Sequence, residues 1–143
     1  MKSIKEFKGD YFFLSNFYEA PVVYDGFSYR NNEAAFQAQK CCTYEEMKRF
    51  TTLNPSEAKR LGRRVKLRDN WEQIKEQRMY EICYCKFKLN PDLLDKLLKT
   101  GDAYLEEGND WGDKYWGTVN GEGKNALGKI LMRLRENFIN EGY

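Results

Sequence analysis

The chain has 143 residues, of which 41% are apolar and 15% aromatic, enough for one substantial core and far from the composition of a disordered segment. Its 24 lysines and arginines stand against 22 aspartates and glutamates, so total charge gives no reason to expect a nonspecific polyanion binder, although a local basic patch remains compatible with it. No run approaches the roughly 20 apolar residues of a membrane span, and MKSIKEFKGD lacks the apolar centre of a signal peptide, so a soluble, cytoplasmic protein without a membrane partner is expected.

In chain order, the first 30 residues are aromatic and rich in turn residues. Asp25-Gly26 between Val22-Val23-Tyr24 and Phe27-Ser28-Tyr29 predicts a β-hairpin. From Asn32, a plausible N-cap, the period becomes helical to about Phe50, as one helix or as two broken near Thr43. Asn54-Pro55-Ser56-Glu57 opens another helix, with Gly62 as its expected stop. Asp69–Leu89 is the longest helical candidate and ends at Asn90-Pro91. A short amphipathic helix runs from Pro91 to Thr100, Ala103–Glu106 suits one strand, and a last helix begins near Asn125. The expectation is one α+β domain over residues 1–143, mostly helical with a few short strands.

With no histidine in the chain, general acids and bases must be carboxylates, amines and similar groups. Glu33, Phe36, Gln37 and Lys40 fall along one stripe of the helix expected from Asn32, which aims a carboxylate, an amide and an amine at one place. The ordinary reading of such a glutamate–lysine spacing is two solvated charges too far apart to pair. The four cysteines form the pairs Cys41-Cys42 and Cys83-Cys85, without metal-knuckle spacing, and reduced, partly buried thiols are expected.

Three further segments depart from plain core-and-surface patterning. Phe13–Tyr18 mixes aromatics with Ser15 and Asn16, a combination that suits a flat heterocycle as well as a packed N-terminal arm. Asp113-Lys114-Tyr115-Trp116-Gly117 sets a carboxylate and an indole in a loop, where Trp111 and Trp116 serve either a ligand or the core. Gly121-Glu122-Gly123-Lys124-Asn125 opens the last helix as a phosphate cradle or, more simply, with Asn125 as a cap. It is not a Walker A loop, because Thr118 and Asn125 occupy positions that the motif reserves for other residues.

Taken in order, FLSNFYEAPV, NEAAFQAQK, SEAKRLGRRV, DNWEQIKEQRM, CKFKLNPDLLDKLLKTGD, LEEGNDWGDKYWG and GEGKNALGKILMRLR resemble the successive blocks of the NADAR superfamily, the YbiA-like N-glycosidases. The resemblance covers Phe12 to about Arg135. Many members carry histidine after the motif glutamate where this chain has Ala34, so that side chain is not required for any chemistry carried over. The resemblance implies a mostly helical α+β domain and hydrolysis of the bond between a ribose and a nitrogen base. The ribosyl substrates it implies are riboflavin-synthesis intermediates, or ADP-ribosylated guanine in DNA or RNA. No cofactor or metal is called for.

On this reading Glu33, Lys40 and Asp113 are the candidate catalytic residues. A carboxylate stabilises the oxocarbenium-like charge at C1′ and carries the proton the leaving nitrogen needs. A neutral Lys40 is also able to attack an opened ribose aldehyde, and the choice between that route and direct attack by water stays open. Ser15, Asn16, Phe17, Gln37, Trp71, Trp116, Gly123, Lys124 and Asn125 are the candidate substrate contacts. A non-catalytic module binding NAD or ADP-ribose through the same residues is the second hypothesis; a helical interaction domain without a small ligand is the third.

Overall fold

A computed structural model describes residues 2–143. Strand β1 (Ser3–Ile4) and a 3₁₀ turn (Gly9–Leu14) are followed by β2 (Glu19–Tyr24) and β3 (Phe27–Asn31). Helices α1 (Asn32–Ala38), α2 (Tyr44–Lys48), α3 (Pro55–Gly62), α4 (Trp71–Leu89) and α5 (Pro91–Lys99) come next, then β4 (Tyr104–Leu105) and α6 (Ala126–Asn140). The fold is α+β and mostly helical, as its patterning predicts. No described helix is long and apolar enough to cross a membrane. The chain divides into two units, one of Met1–Ser15 with Asp92–Tyr143 and one of Asn16–Pro91.

The Asn16–Pro91 unit is built around α1. Asp25 and Gly26, at φ 50° and 87°, turn β2 back onto β3 with Tyr24 opposite Phe27; both turn positions need left-handed backbone, which Asp-Gly tolerates. β3 runs directly into α1, and Asn31 Oδ1 accepts the Ala34 N–H at 2.8 Å. The cap is therefore Asn31 and not Asn32, which lies inside the helix. All seven residues of α1 are buried, because the helix is covered by β2, β3, α3 and α4. The break expected near Thr43 is there: its hydroxyl accepts the Glu46 N–H at 3.2 Å and starts α2. Asn54 and Glu57 exchange bonds in a capping box at the head of α3. α4 begins at Trp71, two residues later than its pattern suggests, since Asn70 has non-helical backbone.

In the other unit β1 pairs with β4 in parallel, through Tyr104 N–H to Lys2 O and Glu106 N–H to Ile4 O, both 2.9 Å. β1 is invisible to local pattern because its strand partner among the described residues is about a hundred residues away along the chain. Leu93, Leu94 and Leu97 of α5 and Leu127, Ile130, Leu131, Leu134 and Phe138 of α6 are buried as the helical period requires. Arg135 of α6 is buried too, and its guanidinium donates to Thr100 Oγ1 and Ala103 O, both at 2.8 Å.

Lys86 of α4 is the most unusual core residue. Its side chain is fully buried, with the ammonium 5.7 Å from the Tyr18 ring and 5.4 Å from that of Phe87. Burial pushes its pKa from 10.5 down to about 8. Between those values the unfolded chain holds the proton more tightly than the folded one, so stability rises with pH across the window, by at most roughly 3 kcal/mol. Denaturant unfolding should therefore show a Lys86-dependent rise in stability from pH 8 to pH 10, set against the fall contributed by Tyr24, Tyr29, Cys41 and Cys85, whose burial raises their pKa values. Most of that rise should vanish in Lys86→Met, which keeps the packing and removes the titration.

Candidate active site

Glu33 and Gln37 are one helical turn apart on α1, and Gln37 Nε2 donates to Glu33 Oε2 at 2.7 Å. Both side chains are more than nine-tenths buried, so this carboxylate is not the solvated charge of an ordinary helix surface. The Glu33 N–H donates to Asn16 O at 3.0 Å, which ties the segment before β2 to the head of the helix. Asn16 Oδ1 accepts from Asn32 Nδ2 at 3.3 Å and Asn16 Nδ2 reaches Met79 Sδ at 3.4 Å. Its side chain thus braces α1 against α4. Asn32 Oδ1 and Gln37 Oε1 are buried without a hydrogen-bond partner among the described residues, unusual for interior amides.

Lys40 does not share the helix with Glu33, and the expected stripe is corrected here. α1 ends at Ala38, and the N–H groups of Gln39, Lys40 and Cys41 donate back three residues to Phe36, Gln37 and Ala38 at 3.0, 3.2 and 3.1 Å. The lysine sits in this tightened turn. Arg68 holds the turn from outside: its N–H donates to Lys40 O at 2.9 Å and Nη1 to Gln39 O at 3.4 Å. Burial lowers the Lys40 pKa; the Glu33 carboxylate opposes that shift, while Arg63 and Lys75 add to it. The two groups joined by the sequence reading are therefore electrostatic neighbours, brought together by a turn and not by helical spacing. Arg63, Arg68 and Lys75 carry no such signal in the sequence, although SEAKRLGRRV displays Arg63 in a basic run.

Trp71 is buried, its ring 5.1 Å from that of Phe36, and so supports α1 from behind. The Phe17 ring carries the Lys59 ammonium 5.8 Å from its centre.

Gly62 is the last residue of α3, where the sequence places the stop, and its contacts give a further reason for glycine. A Cβ there would overlap Gln37 Oε1 and come within 2.7 Å of its Cδ. The glycine lets α3 approach α1 closely enough to press the amide toward Glu33. Gly62→Ala should lower turnover about tenfold by displacing that amide. Overpacking of about 1–3 kcal/mol should outweigh the roughly 1 kcal/mol gain in helix propensity, so thermal unfolding should move down and not up.

The remaining candidates belong to the other unit. Ser15 closes the 3₁₀ turn, its N–H donating to Phe12 O at 2.9 Å. Asp113 Oδ1 accepts the N–H groups of Tyr115 and Trp116 at 3.0 and 2.9 Å, while Asn109 brackets the same loop through Asp113 N and O at 3.0 and 2.9 Å. The observed work of this carboxylate is to shape the loop. Trp116 stacks edge-on with Tyr115 at 4.9 Å and is partly buried, whereas Trp111 is 56% exposed.

The anion cradle expected at Gly121–Asn125 is filled by the chain itself. The N–H groups of Lys124, Asn125, Ala126 and Leu127 donate to the carbonyls of Lys114, Gly117, Tyr115 and Trp116 at 2.7–3.1 Å. Gly123 is glycine because a Cβ would lie 2.5 Å from Gly117 O. Asn125 is no side-chain cap either: its Oδ1 accepts the Glu107 N–H at 3.0 Å and its Nδ2 donates to Leu105 O at 2.9 Å. Lys124 leans over the Tyr115 ring, 4.6 Å from its centre.

A family model for the NADAR domain matches residues 4–139. The chain belongs to the NADAR domain family. Among NADAR relatives, the protein named N-glycosidase YbiA from Shigella flexneri serotype 5b is 44% identical over 133 residues, covering 89% of this chain and 81% of that protein. Its Escherichia coli K12 counterpart is 43% identical over the same length. A riboflavin biosynthesis protein of Vibrio vulnificus is 35% identical over 128 residues, 87% of this chain but 35% of that protein. The NMR structure of E. coli YbiA superposes with a TM-score of 0.86 at 36% identity, covering 99% of this chain and 88% of that one. The NADAR fold is thus shared along essentially the whole chain.

Proposed function

We propose that this chain is an N-glycosidase that hydrolyses the bond between C1′ of a ribose and a nitrogen base, with Glu33 and Lys40 as its chemical groups. The single observation that carries the reading is the buried Glu33 carboxylate set beside an amine whose pKa burial lowers. The N-glycosidase relatives, similar over most of the chain, support it. Because the family model runs through both units, we read residues 1–143 as one NADAR domain.

Glu33 in its acid form protonates the leaving nitrogen as the C1′–N bond breaks, and the bonding pair stays with the base. The positive charge that grows at C1′ is met by the resulting carboxylate. Lys40, neutral, supplies its lone pair to C1′ and loses a proton; the C1′–O4′ bond then breaks as O4′ takes up a proton, giving an open-chain protonated sugar imine that water later hydrolyses to release ribose and the free amine. Gln37 fixes the carboxylate throughout. Asp113 keeps its role as a loop-shaping residue that holds the Tyr115-Trp116 turn.

The substrate classes to try are ribosylamino intermediates of riboflavin synthesis and guanine bearing ADP-ribose, free or in a nucleic-acid strand. Incubation with each, followed by mass spectrometry of released base and ribose phosphate, tests the reading; intact substrates in every case would overturn it. Carboxylate and amine chemistry needs no metal, and no three of the described His, Cys, Asp or Glu residues are grouped to hold one. Turnover should survive EDTA. Loss on chelation that a single divalent ion restores would assign the carboxylates a different role.

A further inference from the structure

The basic segment after α3 runs beside the site. Arg63, Arg64, Lys66 and Arg68 fall within six residues without an intervening acid. Among the described residues none of the four has a carboxylate within ion-pairing distance. Arg63, Arg64 and Lys66 are exposed and Arg68 is partly so. Three contacts place the segment along α1 and the Lys40 turn: Gly62 lies against the Gln37 side chain, Cys42 Sγ approaches Lys66 O at 3.6 Å, and Arg68 bonds to Gln39 and Lys40.

A total charge of only +2 therefore hides a concentrated one. Four uncompensated cations on one side of a site whose own buried acid is Glu33 raise the local potential for anions well above that of the protein at large. Arginine is the residue suited to this task, since its planar fork matches two oxygens of a phosphate at once and stays charged at any working pH. The other possible anion site, at the start of α6, has its amides occupied by loop carbonyls.

We propose that Arg63, Arg64, Lys66 and Arg68 form a phosphate-binding rim of the active site, selecting ribosyl substrates that carry phosphate on the sugar. The inference rests on the N-glycosidase reading for the identity of the sugar, and on the geometry alone for the anion.

The test uses Arg64→Gln/Lys66→Gln, which removes two exposed charges and leaves in place both Arg63, which acts on the Lys40 pKa, and the Arg68 clamp on Lys40. Titration calorimetry with ribose 5-phosphate and with inorganic pyrophosphate should show binding by the native protein, about tenfold weaker in the double variant and weakened by added salt. Ribose without phosphate should bind at least tenfold more weakly than ribose 5-phosphate, equally in both proteins. With a phosphorylated substrate that is turned over, KM should rise about tenfold while kcat changes less than twofold. Equal affinities for ribose and ribose 5-phosphate, or unchanged affinity and KM in the double variant, would overturn the rim.

A single-stranded oligonucleotide serves as the other source of phosphate. If it alone responds to the double substitution, the rim reads a strand backbone, and selection for phosphate on the sugar is wrong. Binding of ribose 5-phosphate that depends on Arg64 and Lys66, without cleavage of any ribosyl substrate, would instead remove the N-glycosidase reading and leave the rim standing.

Discussion

Glu33→Gln should fold like the native protein and lose about two to four orders of magnitude in turnover, the range for removing a positioned acid–base group. The substitution keeps the shape of the side chain and a carbonyl oxygen that accepts from Gln37 Nε2, so the 2.7 Å contact inside α1 has a substitute. What disappears is the proton for the leaving nitrogen and the negative charge facing C1′. Burial sharpens the expectation, because a carboxylate 8% exposed acts through a lower dielectric than one in water. Thermal unfolding and turnover measured on the same preparation check this. A folded variant with near-native turnover would remove Glu33 from the chemistry.

Lys40→Arg should be inactive, and borohydride added during turnover of the native protein should fix the sugar to the peptide containing Lys40. An imine needs a neutral primary amine; the guanidinium keeps the positive charge and cannot supply one. The pH dependence has a definite sign. Burial, aided by Arg63 and Lys75, lowers the Lys40 pKa, so the nucleophilic form gains population as pH rises and does so at lower pH than in an exposed lysine. The share of activity that depends on the free Lys40 amine should climb with pH through this lowered pKa, against the loss of the Glu33 acid form. If Lys40→Arg turns over substrate at a comparable rate and nothing is trapped, the lysine is an electrostatic group and water attacks C1′ directly.

Much of this molecule can be read locally. Asp25-Gly26 specifies its hairpin because only a few residue pairs accept two left-handed positions in succession. Asn54 and Glu57 cap α3 at the spacing a capping box requires, and the leucines of α5 and α6 face inward at the helical period. Glu33, Gln37 and Lys40 stand out as a carboxylate, an amide and an amine at suggestive spacing. Each of these features depends on neighbours within a few residues.

Other features depend on partners far away in sequence. β1 exists because Lys2 and Ile4 offer carbonyls to Tyr104 and Glu106, and no property of a two-residue stretch announces that. Gly62 reads as a helix stop and is one, but its close approach to Gln37 has no local signal. The glycines and amides of the last loop read as a phosphate cradle, yet their hydrogen-bonding capacity is largely satisfied by carbonyls of residues 114–117.

The residue types of the site, their order, the hairpin and the main helices were determined by the sequence itself, through dihedral preference and apolar period. Tertiary structure decided which polar groups are buried, which are already bonded and which charges lack a partner. It placed Lys40 beyond the end of α1 yet within the field of Glu33, and it put the basic segment along the same turn. The physical reason is that hydrogen bonding, desolvation and electrostatic potential depend on distance in space, and the packing of α1 against β2, β3, α3 and α4 sets those distances.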